Sequence, residues 1–78
     1  MKHFDFLIAD DSEHEKVFVE IYYNEKYVAL ISQEEGIDKL LIEFPGNDLN
    51  ESAIIRSLPL NEFLNLIDEA VKFLNPVV

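Results

Sequence analysis

The sequence predicts an α+β domain: an antiparallel β-meander of four strands, five if residues 53–58 also extend, with one C-terminal helix on one face. Three observations predict it. Residues 17–23 and 27–33 are rich in β-branched and aromatic side chains and flank a short polar turn. Residues 60–74 carry apolar side chains at spacings of three and four, the period of a helix. The strands come first and the helix last, an order that favours a meander with a single helical cover.

Phe4, Phe6 and Ile8 alternate with Asp5 and Leu7, which gives the first strand. Asp10, Asp11, Ser12, Glu13, His14 and Glu15 follow as a polar loop. The next two strands form a hairpin around Asn24-Glu25. With that pair as the turn, Ile21 faces Val28 and Val19 faces Leu30 on an aliphatic side. Tyr22 then meets Tyr27, and Glu20 meets Ala29, on a mixed side. Asn tolerates positive φ at the first turn position, whereas the second position prefers glycine to Glu. Residues 33–39 hold Glu34, Glu35 and Gly36, a longer hairpin loop in which Gly36 is free to turn left-handed. Leu40, Ile42 and Phe44 mark a further strand, stopped by Pro45-Gly46-Asn47-Asp48. Residues 53–58 read either as a last short strand or as an extended lead into the helix, since Pro59 disfavours helix at Leu58.

For the helix, Asn61 is the expected N-cap and Glu62 lies in the first turn, where the helix dipole favours an acid. Leu60, Phe63, Leu64, Ile67, Ala70, Val71 and Leu74 make the expected buried stripe. Asn65, Asp68, Glu69 and Lys72 lie away from it. Asn75-Pro76 ends the helix after about 14 residues, or roughly 21 Å. One helix covers one sheet face. The other, with Phe18, Tyr22, Tyr27 and Ile31, is left open in a chain this short. An open apolar, aromatic face is a candidate surface for a partner or for a homodimer, as is an edge strand, and its alternative is shielding by long side chains and the termini.

The chain of 78 residues is a single domain, 1–78, with a thin core. Its sixteen acidic residues against six basic ones give a formal charge of −10. Solubility alone is served by a net charge of about 2–8. The resulting field attracts basic partners and repels nucleic acid and anionic membranes. There is no cysteine, so disulfides and thiolate metal sites are excluded. Met1-Lys2-His3-Phe4-Asp5 places an acid where a signal peptide needs an apolar run, and no stretch approaches the roughly 20 apolar residues of a membrane span. A cytoplasmic protein is expected.

Catalytic equipment is hard to find. His14 among Asp10, Asp11, Glu13 and Glu15 supplies metal-ligand types without fixed ligand spacing, and a solvated turn accounts for it. Asn47, Asp48, Asn50 and Glu51 lack the ligand spacing of a calcium loop. Ser12, Ser32, Ser52 and Ser57 stand in no triad context. Adjacent carboxylates such as Glu34-Glu35 suit solvated charge better than acid–base work. Gly36 and Gly46 are too far apart for a phosphate loop, and the basic residues are scattered. No enzyme activity, no cofactor and no metal are expected, and no direct contact with nucleic acid or membrane.

The stretch Ile21-Tyr22-Tyr23-Asn24-Glu25-Lys26-Tyr27-Val28-Ala29-Leu30-Ile31-Ser32-Gln33-Glu34-Glu35-Gly36 resembles part of the small bacterial immunity proteins that accompany contact-dependent growth inhibition and other polymorphic toxins. The likeness continues through Leu41-Ile42-Glu43-Phe44-Pro45-Gly46 and the closing helix, and covers residues 17–74. Asn24-Glu25 departs from the Asn-Gly expected at the turn. The resemblance implies an antidote that binds a toxin C-terminal domain, often a nuclease with a basic active site, and blocks it. A generic acidic adaptor, or the small subunit of an assembly, is the alternative. No contact residue carries over by motif, so the expected partner-binding residues are physical choices. Asp10, Asp11, Glu13, Glu15, Glu34, Glu35 and Asp38 are the steering and rim charges. Tyr22, Tyr23 and Tyr27 are the aromatic anchors, with sheet packing as their other use.

Overall fold

The central hairpin turns on two consecutive left-handed residues, Asn24 at φ 52° and Glu25 at φ 67°. Two such residues define a type I′ turn, whose twist matches that of the flanking strands. The computed structural model describes residues 4–46 and 50–74. In it, strands β1 (Phe4–Ala9), β2 (Phe18–Tyr23), β3 (Lys26–Ser32) and β4 (Leu41–Glu43) form one antiparallel sheet in the order β1-β2-β3-β4. A single 3-10 turn at Glu51–Ala53 leads toward the helix α1 (Leu60–Leu74). The α+β meander with a C-terminal helix is therefore the fold, and its sheet has four strands. The segment expected as a possible fifth contributes one parallel bridge, Ile54 to Tyr27, with the Ile55 amide donating to the Tyr27 carbonyl at 3.0 Å. Expectations that fall on Asn47, Asp48 and Asn75-Pro76 lie outside the described residues.

Glu25 carries the conformational cost of the turn. A side chain in the left-handed region costs about 1–2 kcal/mol, and glycine escapes most of that while losing some backbone entropy on folding. We expect Glu25→Gly to stabilise the domain by about 0.5–1 kcal/mol, raising Tm by roughly 3–6 °C. A thermal melt in which this variant unfolds earlier would refute the I′ geometry.

The hairpin register departs from the expected one by a bulge. Tyr22 faces Tyr27 as expected, but Ile21 faces Ala29, Glu20 faces Leu30 and Val19 faces Ile31, with the shift between Ile21 and Tyr22. Val28 is thus the extra residue of β3. A bulge moves every later residue of its strand by one position, and the side-chain period of two then exchanges the faces. Ile31 consequently joins the helix side, where it packs with Val19, Ile21, Tyr23, Ala29, Leu66 and Ala70. The two-residue turn fixed the register only locally; burial of both Val28 and Ala29 favoured the slip.

Pro59 starts the helix by accepting the first intrahelical bond, from the Phe63 amide at 2.9 Å. Asn61, expected as the cap, sits inside the first turn. The residues that α1 buries fully are Leu66 and Ala70. Leu66 was absent from the expected stripe, while Leu60 and Leu64, which belonged to it, are 69% and 57% exposed. Phe63, Ile67, Ala70, Val71 and Leu74 of the expected stripe do reach the core, so the helix is turned by only a fraction of a residue step from the expected setting. The rotation brings Leu66 onto the β2–β3 core, and the ring of Phe73 to 5.2 Å from Phe6 on β1. The helix lies chiefly over β2 and β1.

Candidate protein-binding site

In an antiparallel meander the β1–β2 and β3–β4 loops leave the sheet at the same end. Glu34 ties them together, accepting from the amides of Glu15 and Lys16 at 2.8 Å each. These two donors hold the Glu34 carboxyl below the usual carboxylate range. Gln33 adds a third link, donating from Nε2 to the Val17 carbonyl at 2.9 Å. Gly36, at φ 109°, closes the β3–β4 loop in a conformation that an L side chain rarely adopts.

The β1–β2 loop is further fastened by His14. Its ring stacks on Phe18 at 4.5 Å between centroids. Its Nδ1 bonds Asp11 Oδ1 at 2.8 Å and its Nε2 bonds Glu43 Oε2 on β4 at 3.2 Å. Both partners are carboxylates, which only accept, so the ring satisfies both only as the doubly protonated imidazolium. The side chain is 10% exposed, and the bonds to Asp11 and then Glu43 raise its pKa above the ordinary 6.5 against the opposing effect of burial. Asp11, bonded to the His14 ring and capping the amides of Glu13 and His14, is held below its ordinary 3.8. His14 is thus a strap over the sheet face opposite the helix. It covers Phe18, one of the residues expected to lie open.

The strap has a pH window. Folding raises the His14 pKa, so its contribution is complete below 6.5 and fades as the pH rises through the higher folded value. Folding lowers the Asp11 pKa, so that contribution is complete above 3.8 and is lost as the pH falls through the lower folded value. The pair is whole between pH 3.8 and 6.5. Urea titrations of wild type and His14→Ala should differ most between pH 3.8 and 6.5, and the gap should shrink as the pH rises above 6.5. A gap that is constant or widens with pH would contradict the ion-paired strap.

The structure divides the expected site residues into two groups. Asp10, Glu13, Glu15, Glu35 and Asp38 are exposed, and among the described residues none of them is engaged in an ion pair. Asp11 and Glu34 belong to the same end of the sheet but are spent on loop architecture. All seven carboxylates therefore stand on two loops that share one pole of the molecule.

The tyrosines are not grouped with them. They flank the β2–β3 turn, which lies at the other end of the sheet. Tyr23 is buried on the helix side, its hydroxyl donating to Glu62 Oε1 at 2.7 Å. Tyr22 and Tyr27 stack edge-to-face at 5.6 Å on the opposite side of the sheet. There Tyr22 donates to Glu20 Oε1 at 3.1 Å. Burial, reinforced by the charges of Glu20 and Glu43 and by Tyr22, pushes the Tyr27 phenol up to about 12. Of the three, only this pair borders open space, a depression it shares with Pro45, Asn50 and Ile54.

Sequence reasoning missed an apolar groove between β4 and α1. Ile42, Phe44, Leu60, Leu64, Ile67 and Val71 line it. The signal was present: nine of the fifteen residues of α1 are apolar, more than one buried stripe uses. Among the described residues no group of three or more His, Asp or Glu is placed to hold a metal ion. None of their helices is long and apolar enough to cross a membrane. Comparison with protein-family models, with curated proteins and with solved structures finds no match.

Proposed function

We propose that this chain is a non-enzymatic inhibitor of a basic protein, and specifically that it acts in the bacterial cytoplasm as the immunity partner of a toxin domain, a nuclease whose active site is cationic. The observation that carries the reading is the acidic pole. Seven carboxylates on two loops are locked to one end of a rigid sheet, on a chain whose formal charge is −10. Complementary charge accelerates encounter and excludes wrong partners, whereas holding the complex takes buried contacts. The likeness of residues 17–74 to immunity proteins supplies the toxin as the particular partner.

The uncovered groove beside α1 favours a second reading, in which the chain is the small subunit of an assembly. One experiment separates the two. The open reading frame immediately upstream of the coding gene is expressed alone and together with this chain. Growth arrest by the first and rescue by the second is the expected result. An innocuous neighbour, or arrest that this chain does not relieve, would reject the immunity reading and leave the assembly reading.

A further inference from the structure

The four strands and the one helix do not match in width. Strands lie about 4.8 Å apart and a helix with its side chains is roughly 10 Å across, so one helix covers about two strands. Here α1 lies over β2 and β1, and β4 is left without a helical cover. Ile42, whose cross-strand partner Ile31 is in the core, is 39% exposed on that side, and Phe44 just beyond it is 64% exposed. Across the gap stand Leu60, Leu64, Ile67 and Val71, at spacings of four, three and four. That is the seam one helix offers to another. It is distinct from the buried line of Leu66 and Ala70. Beside its buried line the helix thus carries a second apolar line, whose Ile67 and Val71 still touch the core while Leu60 and Leu64 stand exposed along the groove.

We propose that this groove is the seat of an amphipathic helix from the partner protein, about three turns long, with a basic polar face. The inference rests on the reading of the chain as a binder of a basic protein, and it names where that protein is held. A helix suits the site better than an added strand. The edge of β4 is only three residues long and runs into Phe44-Pro45, and short strands and proline both blunt an edge against pairing. The line from Leu60 to Val71 spans roughly 16 Å, which sets the length of the occupant. The charge of its polar face follows from the field. Of the cations near the groove, Arg56 is held by Glu51 at 2.6 Å and Lys72 lies 3.6 Å from Glu69, so the chain's excess of ten acidic charges dominates. The same excess opposes a second copy of the chain as the occupant, because two such bodies repel.

The probe is an 18-residue synthetic peptide of Leu and Lys with Leu at helix period, titrated into the isotope-labelled protein and followed by amide chemical shifts. Saturable binding that perturbs residues 41–44 and 60–71 is expected. A Leu/Glu peptide of the same pattern should bind at least about tenfold more weakly. Leu64→Asp and Phe44→Asp, both at exposed positions and so compatible with folding, should each weaken the Leu/Lys peptide by about tenfold or more at low and high salt alike. Perturbations confined to residues 10–15 and 34–38, or binding unaffected by either substitution, would overturn the proposal. So would tighter binding of a strand-period Leu/Lys peptide, or a sedimentation-detected dimer that Phe44→Asp dissolves. The peptide assay needs no toxin. Rescue that persists at full strength in both groove variants would remove the groove and leave the immunity reading standing. Groove binding without an upstream toxin would do the reverse.

Discussion

Leu66→Ala should cost the domain about 2–5 kcal/mol, the range for a buried leucine cut back to alanine. A chain of this length has a total stability of only about 4–12 kcal/mol, at roughly 0.05–0.15 kcal/mol per residue. The variant should therefore lose a large fraction of its total stability and unfold at a much lower urea concentration. Leu66 has no exposed surface and packs with Val19, Ile21, Ile31 and Ala70 across the β2–β3 core. A hole at that position cannot be filled by small movements, because its neighbours belong to the central strands. The informative comparison is Leu64→Ala, the same chemical change two residues earlier on a face that is 57% exposed. That substitution should cost no more than about 0.5–1 kcal/mol. Urea titrations of the two proteins decide the rotational setting of α1. Equal losses would mean that the helix buries the face first expected from its periodicity, and the groove beside β4 would then not exist.

The helix shows why part of the fold was legible and part was not. Periodicity located the start of α1 to within two residues, because nine apolar positions in fifteen recur at helical spacing. The same abundance hid which line of residues faces the sheet. An apolar arc that wide leaves its centre undetermined, and only contact with the strands distinguishes Leu66 from Leu64. The hairpin behaved similarly. Its two residues of positive φ were legible at Asn24-Glu25, and so was the Tyr22–Tyr27 pair beside them. The extra residue at Val28 was not, because a bulge leaves no mark on a pattern in which Val28, Ala29, Leu30 and Ile31 are all apolar. Among the site residues, the grouping of the acids on two loops was legible, and the meander order alone puts those loops at one end of the sheet. Charge grouping could not foretell that Asp11 and Glu34 would be consumed as hydrogen-bond acceptors for loop amides. Nor could it show that His14, 29 positions away in sequence, would reach Glu43. Long-range partners of polar side chains depend on register, and the register turned on that single bulge.

Charge reversal at the acidic pole should slow association with the partner by about one to two orders of magnitude at low ionic strength while leaving dissociation nearly unchanged. The variant to make is Glu13→Lys, Glu15→Lys and Glu35→Lys together. All three side chains are exposed and none holds another residue in place, so the fold should persist. The change removes six of the ten net negative charges from one end of the molecule. Wild-type association should fall steeply as salt is raised, since the Debye length shrinks from about 30 Å at 0.01 M to about 8 Å at physiological strength. The variant should show a much flatter dependence. Leu64→Asp supplies the complementary result, with faster dissociation and little change in salt dependence, because a buried apolar contact is lost and the field at the pole is not. Stopped-flow or surface-binding kinetics with the upstream toxin as ligand measure both rates. If reversing the pole sped dissociation instead, the carboxylates would be buried contacts. If wild-type association ignored salt altogether, the acidic pole would have no part in recognition.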